Sequence, residues 1–508
     1  MNKGRRVTGM PLLLKRVVLS ILAVMLAGRA QAQYYAILKS FSPGAINGVT
    51  GAYTNADGID TVAEVLISGQ TLYGVASGGG TNGSGTVFKL NFDGTGFKVL
   101  HHFSLAKTNA SDVATNADGS GPQGRLFLQN ATLYGTAAYG GLYGDGTVFR
   151  VDTNGNNFTV IKFFQNSPDG AYPYTGVLLP DPDVVIGETS LGGSGGGLGT
   201  LFRMDTNGNN YAIIHEFNSY PTNGVQPWGT LVQSGTNVYG TTYAGGTNLT
   251  GTIFRVNTNG SSFEVLKSFS ALVLNTNSDG AYPRAGLILS SNLLYGTTFS
   301  GGVFSNGVVF RINTDGSGFT NLHSLAATTG SFGSQYNLEG ANPAGRLVLA
   351  GSTLYGTTRD GSAGEGNIFS VNTDGSDYYY LRAFGATIPY DGSVSMAGLT
   401  LSGAMLFGTT EFGGTNDTGT VFAFRWDNIP PVSIARTGTN VVLTWPTDTQ
   451  YNSNSFNFVL QSTPQLSANP SWSDVTNPPT FNPFIGTAIN VVTNPAAGAK
   501  FYRLSSYY

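Results

Sequence analysis

At 508 residues, with a formal net charge of −3 and only 10 % charged residues, the chain offers no electrostatic reason to expect a nucleic-acid partner. Ordinary soluble proteins carry roughly 25 % charged residues, so solubility here must come from Asn, Thr and Ser. Cysteine is absent and glycine is abundant, at 72 residues, which excludes disulfide support and announces many turns.

The first residues read as a targeting segment (1–32). Lys3, Arg5, Arg6, Lys15 and Arg16 form a basic n-region, Val17 to Ala27 an apolar core too short for a comfortable membrane span, and Ala30-Gln31-Ala32 a small-x-small cleavage site. Gln33 is the expected mature start, with an uncleaved anchor as the alternative; cleavage implies an exported protein with a periplasmic, extracellular or cell-surface address and no transmembrane span.

Next comes a lone strand, Tyr35 to Phe41, and then a unit that recurs seven times. Its first mark is the Gly of a Tyr-Gly step, at Gly74, Gly135, Gly187, Gly240, Gly296, Gly356 and Gly408, with Ile186 and Phe407 standing in for Tyr in two copies. Its second is a Gly-Thr-Val-Phe-like step ending at Phe88, Phe149, Phe202, Phe254, Phe310, Phe369 and Phe422. Spacings of the first mark run from 52 to 61 residues, a period that signals a repeat array or propeller. One period reads as four short strands. Ala285 to Leu289 is apolar, Leu294 to Phe299 is rich in Tyr and Thr, and Val308 to Asn313 alternates. An Asp315-Gly316 hairpin then leads into Phe319 to Leu325. Four antiparallel strands per period are the unit of a β-propeller blade.

The last copy stops after its third strand, at Val421 to Arg425, whereas the chain opens with an unmatched fourth strand. Pairing the two completes a seventh blade and covers sheet edges that would otherwise template aggregation. The expected fold is therefore all-β: a seven-bladed propeller over residues 33–428, closed by its N-terminal strand. From Asn428-Ile429-Pro430-Pro431 the composition shifts. Residues 429–508 carry strand-like runs such as Asn440 to Trp445, Phe456 to Gln461 and Lys500 to Leu504, which suggest a small β-sandwich of fibronectin-III or immunoglobulin type. No apolar tail follows them, so no C-terminal anchor is expected.

The linked pieces Leu-Tyr-Gly-Thr-Thr, Gly-Gly-Thr-Asn, Gly-Thr-Val-Phe-Arg-Val-Asn-Thr-Asp-Gly and Val-Leu-His-Ser-Phe resemble the GloVer-type tandem repeat of exported bacterial proteins, over residues 35–427. The resemblance implies secretion or surface exposure, but no reaction.

Local motifs with a catalytic look have plainer explanations. Gly192-Gly193-Ser194-Gly195-Gly196 fits a nucleophile elbow only formally, since no helix follows the serine. Gly78 to Gly83 fits G-x-G-x-x-G but lacks the helix whose N-terminus would hold a pyrophosphate. Asp152 to Asn157 resembles a calcium loop, yet the same segment recurs as a hairpin in every unit. A basic residue recurs in each fourth strand (Lys39, His101, Lys162, His215, Lys267, His323 and Arg382). Each is expected to pair with an acid of the acidic-Gly step in the neighbouring link, such as Asp169 or Asp279. No cofactor and no metal cluster are expected.

Binding residues belong where the repeat is broken. In a propeller the loops between second and third strands share one face with the links between blades. On that face fall Tyr139, Tyr243, Phe299, Arg359, Asp360, Glu411 and Phe412, with Tyr174, Trp228 and Arg284 at the start of innermost strands near the channel mouth. Aromatic rings with a few polar neighbours suit sugars or a partner's apolar patch. The first expectation is a non-catalytic module that binds a glycan or a protein. The alternatives are an extracellular polysaccharide lyase or hydrolase drawing on Arg359, Asp360 and Glu411, and a structural surface component.

Overall fold

The computed structural model describes residues 34–425 except 195, 219–220, 329–336, 362–364 and 386–390. Beyond these it describes only the backbone of seven strands between Ser433 and Ser506. The targeting segment lies outside the described residues. Tyr35–Phe424 forms one compact unit, a ring of seven four-stranded antiparallel blades. Blade 1 comprises Leu66–Ser68, Thr71–Ala76, Thr86–Asn91 and Lys98–His102, and blades 2 to 6 follow the same plan, with Val225–Pro227 pairing in addition along the second strand of blade 4. Blade 7 takes Thr400–Ser402, Met405–Thr410 and Thr420–Arg425 from the last repeat and Tyr34–Ser40 from the start of the chain. The expected closure is therefore present.

The two sequence marks of the repeat are one packing event. Gly74 lies opposite Phe88 across the ladder, and blades 2 to 6 repeat that pairing. All seven phenylalanines are fully buried. A Cβ on any of the seven glycines would stand 2.4–2.6 Å from the Cζ of its phenylalanine, so only glycine lets the ring lie over the neighbouring strand. The third strand also shifts register immediately before this Phe, for example between Ile253 and Phe254, and such bulges add local twist.

The core is divided into layers between blades, not gathered at one centre. Phe41 of blade 7 meets Phe88 of blade 1 edge-on, with ring centroids 5.3 Å apart. Phe103 and Phe149, Phe164 and Phe202, Phe217 and Phe254, and Phe269 and Phe310 repeat the contact at later joints. The closing joint adds hydrogen bonds from Thr61 Oγ1 to the Thr410 carbonyl (2.9 Å) and from Thr409 Oγ1 to the Ala63 carbonyl (3.0 Å).

The recurrent basic residues belong to these joints. Each stacks on an aromatic of the next blade, which in six of the seven stands four residues after the Asn or Asp of that blade's hairpin turn. Lys39 lies over Phe97, His101 on Phe158, Lys162 over Tyr211, His215 on Phe263, Lys267 over Phe319, His323 on Tyr378 and Arg382 over Tyr35, all at 3.5–4.8 Å. Six also meet an acid of their link at 2.5–2.9 Å: Asp57, Asp118, Asp169, Asp279, Glu339 and Asp391. The exception is His215, whose link carries Asn223 in place of the acid. Its Nε2 is buried without a hydrogen-bond partner among the described residues, and burial lowers its pKa to about 4.

In the C-terminal stretch, Ser433–Thr437, Asn440–Pro446, Thr487–Val492 and Thr480–Asn482 form one antiparallel sheet. Ser473–Asp474, Phe458–Thr463 and Phe501–Ser506 form another.

Candidate binding face

The face begins with a backbone feature that the repeat imposes. The residue opening each innermost segment (Asp60, Gly121, Tyr172, Gln226, Tyr282, Asn342 or Val394) has φ between 55 and 64°. For Tyr and Val this left-handed conformation is an outlier, costing on the order of 1–3 kcal/mol. Hydrogen bonds to the preceding blade hold it: Tyr172 N–H donates to the Asp145 carbonyl (3.0 Å), and Tyr282 N–H to that of Thr250 (2.8 Å). The chain then turns down into the channel. Consecutive residues form tiers there: Val62, Gln123, Tyr174, Trp228, Arg284, Ala344 and Met396 at the mouth, then small residues, then a charged tier with Glu64, Arg125 and Arg346. Together they line a cavity of ≈ 170 Å³.

Across blades 2 to 5 the rings join into one arc. Tyr139 packs edge-on against Tyr172 (5.5 Å) and Tyr174 (5.9 Å), and the Tyr139 and Tyr174 hydroxyls lie 3.0 Å apart. Tyr174 contacts Trp228 (5.8 Å), Trp228 contacts Tyr243 (5.1 Å), and Tyr243 contacts Tyr282 (5.2 Å). Arg284 lies over Trp228 (4.4 Å), Tyr243 (5.5 Å) and Phe299 (4.6 Å). The rings are half-buried or, for Tyr139, 39 % exposed. Burial raises the Tyr174 hydroxyl well above its ordinary pKa, so it stays a neutral donor.

The remaining arc is charged. Arg359 Nη1 stands 3.6 Å from Asp360 Oδ2. Burial raises the pKa of Asp360, against the opposing effect of Arg359. Burial and then the neighbouring Asp60 raise Glu411, while Arg359 lowers it. Asp60 itself is raised by burial.

Deeper in the channel, Arg346 donates to Glu64 through Nε (3.1 Å) and Nη2 (2.7 Å), and Thr400 Oγ1 donates to the same carboxylate at 3.1 Å. Arg125 Nε approaches to 3.1 Å without hydrogen-bond alignment. Burial pushes the Glu64 carboxyl up, but Arg346 and Arg125 outweigh it and hold it below the usual range. Glu188 differs. It occupies a row in which Thr136, Thr241, Thr357 and Thr409 donate to a carbonyl of the next blade at 2.7–3.2 Å. Neither Glu188 oxygen has a partner among the described residues, and burial pushes its carboxyl well above the ordinary value.

Of the residues singled out in the sequence, Tyr139, Tyr174, Trp228, Tyr243, Arg284 and Phe299 are brought into one arc. Arg359, Asp360 and Glu411 form the charged side. Phe412 is 39 % exposed and pairs with Ser393 through the backbone, but joins no ring contact among the described residues. Tyr172, Tyr282 and Asp60 were missed. Their signal was their position: each directly precedes the Pro or Thr that starts the descent into the channel.

Three overlapping stretches, residues 31–183, 106–273 and 269–439, match the Gloeobacter/Verrucomicrobia repeat. A comparison with curated proteins finds no match. Among solved structures the chain is similar to an oligogalacturonate lyase in complex with manganese, at 10 % identity and TM-score 0.43, covering 78 % of this chain and 98 % of that one. It is also similar to a nidogen/laminin complex chain, at 13 % identity and TM-score 0.35, covering 59 % and 91 %. TolB from Acinetobacter baumannii matches at 15 % and 0.36, covering 62 % of each chain. These scores are low, and nothing about ligand or reaction follows from them.

Proposed function

The chain belongs to the Gloeobacter/Verrucomicrobia repeat family, and on that footing we propose that it is an exported binding module whose aromatic arc holds a glycan. The observation that carries this reading is the continuous series of rings from Tyr139 to Tyr282 and Phe299. The rings occur where the repeat leaves sequence free to vary, and they are not sealed inside a blade joint. Apolar ring faces and polar hydroxyls side by side match the amphipathic faces of sugar rings. Export rests on the basic and apolar N-terminal segment and the Ala30-Gln31-Ala32 site. Residues 33–428 then serve as the propeller and 429–508 as an appended sandwich.

Glycan-array binding by the intact protein, compared with Trp228→Ala and Tyr243→Ala, tests the reading. Loss in both variants at unchanged thermal stability supports it. Capture of proteins but no glycans would transfer the face to a protein partner, and undiminished glycan binding in both variants would remove the arc from it.

A second reading has one observation in its favour. Burial raises both the Glu411 and the Asp60 carboxyl at the rim, and Asp60 adds to the rise of Glu411, the direction in which a general acid is tuned. Turnover of a polysaccharide panel, lost in Glu411→Gln, would select a lyase or hydrolase over a pure binder.

A further inference from the structure

The charge at the channel mouth is unbalanced. Among the residues that line it, Arg125, Arg284 and Arg346 face a single carboxylate, Glu64, in a chain whose net charge is −3. Glu64 is committed to the two deeper arginines. Arg284 is left over. It makes no hydrogen bond or ion pair with any described residue, and the charge that acts on it from the rim is Arg359, a like charge. Trp228 and Phe299 flank its guanidinium at 4.4 and 4.6 Å, so the planar fork is held in place without its N–H groups being used. No Arg284 nitrogen is sealed from solvent without a partner.

A fixed, half-buried guanidinium with idle donors is a receptor for a planar anion, and a carboxylate matches its geometry with two parallel hydrogen bonds. The cavity below it, ≈ 170 Å³, is smaller than the roughly 300–1,000 Å³ of pockets that enclose a drug-sized ligand. It admits one group of a ligand whose remainder lies across the rings. We propose that the glycan held by the aromatic arc is acidic, and that Arg284 binds the carboxylate of one of its uronic-acid residues at the channel mouth. This rests on the glycan reading above and specifies its substrate class. Tyr174 and Trp228 share both the cavity and the arc, so ring stacking and carboxylate capture act on one ligand.

The test titrates the intact protein with a glucuronate-terminated oligosaccharide and with its carboxyl-reduced, glucose-terminated counterpart. Wild type should prefer the acid by roughly 10- to 100-fold, the range of a charge-assisted hydrogen-bond pair. The preference should weaken as salt rises. Arg284→Gln should collapse the ratio towards one, and Arg284→Lys, which keeps charge but loses the fork, should retain part of it. Thermal unfolding of each variant checks that the arc is intact. Equal affinity for the two sugars in wild type, with Trp228→Ala still disruptive, overturns the carboxylate assignment and leaves the glycan reading standing. A preference unchanged in Arg284→Gln overturns it too. Binding of neither sugar, nor of any glycan on the array, removes both.

Discussion

The blade joints and the channel mouth are built from the same chain positions in every repeat, yet they differ in what they tolerate. At the joints a basic side chain, an aromatic of the next blade and, in six cases, an acid of the link recur around the ring. At the mouth the equivalent positions hold Val62, Gln123, Tyr174, Trp228, Arg284, Ala344 and Met396, seven different residue types of which two are aromatic and three apolar and non-aromatic. A joint must close seven times, so its residues are fixed by packing. The mouth has no neighbour to satisfy, and its sequence is free to carry recognition.

The sharpest way to break this division is to damage a joint. Phe254→Ala removes a fully buried ring and should cost about 3–5 kcal/mol of stability, read as a lower midpoint in thermal or denaturant unfolding. At the mouth the effect should invert. Trp228→Ala should weaken glycan binding by roughly 30-fold, the hot-spot scale of about 2 kcal/mol, while the unfolding midpoint moves little.

Two positions blur the division and sharpen it when repaired. Glu188 is a buried acid in a row of threonines. Glu188→Thr should stabilise the fold by about 1–3 kcal/mol, the cost of an unsatisfied buried polar group. The wild-type carboxyl is raised in the folded state, so its contribution is fullest below the ordinary Glu pKa and is lost as pH climbs towards the raised value. Stability measured against pH should fall over that window in wild type, and Glu188→Thr should flatten it. The smallest effect belongs to Asn223→Asp, which supplies His215 with the acid its counterparts have. His215 is depressed to about 4. Its contribution is therefore complete above the ordinary His value of about 6.5 and fades as pH falls towards 4. The new carboxylate should raise the His215 pKa in an NMR titration and remove that acid sensitivity. An unchanged pKa would show that the joint does not use the acid as argued.

The fold was legible because its rules are local and repeated. A glycine under a phenylalanine states its constraint in seven copies, an Asn-Gly or Asp-Gly hairpin in six, and the orphan strand Tyr35 to Phe41 shows how the ring closes. The joint chemistry was half legible. Pairing of Lys162 with Asp169 and of Lys267 with Asp279 could be expected from spacing, whereas stacking on the next blade's aromatic joins residues some fifty positions apart. Asp57 and Asp391 escaped notice because Thr61 and Ser395 replace the proline that marks the other links. At the site, Trp228 and Arg284 stood out as departures from the repeat. Tyr172 and Tyr282 did not, because their exposure comes from a left-handed backbone that sequence spacing does not display. Nor could spacing bring Glu64 to Arg346, which meet only when the ring closes.

Hydrogen–deuterium exchange of the intact protein, with and without a glycan that binds on the array, tests the central claim most directly. Protection should fall on peptides carrying Tyr139, 171–176, 226–230 and 281–286, and spare the hairpins at Asn154-Gly155, Asn259-Gly260 and Asp315-Gly316 on the opposite face. Protection centred on those hairpins, or spread evenly over all seven links, would contradict it.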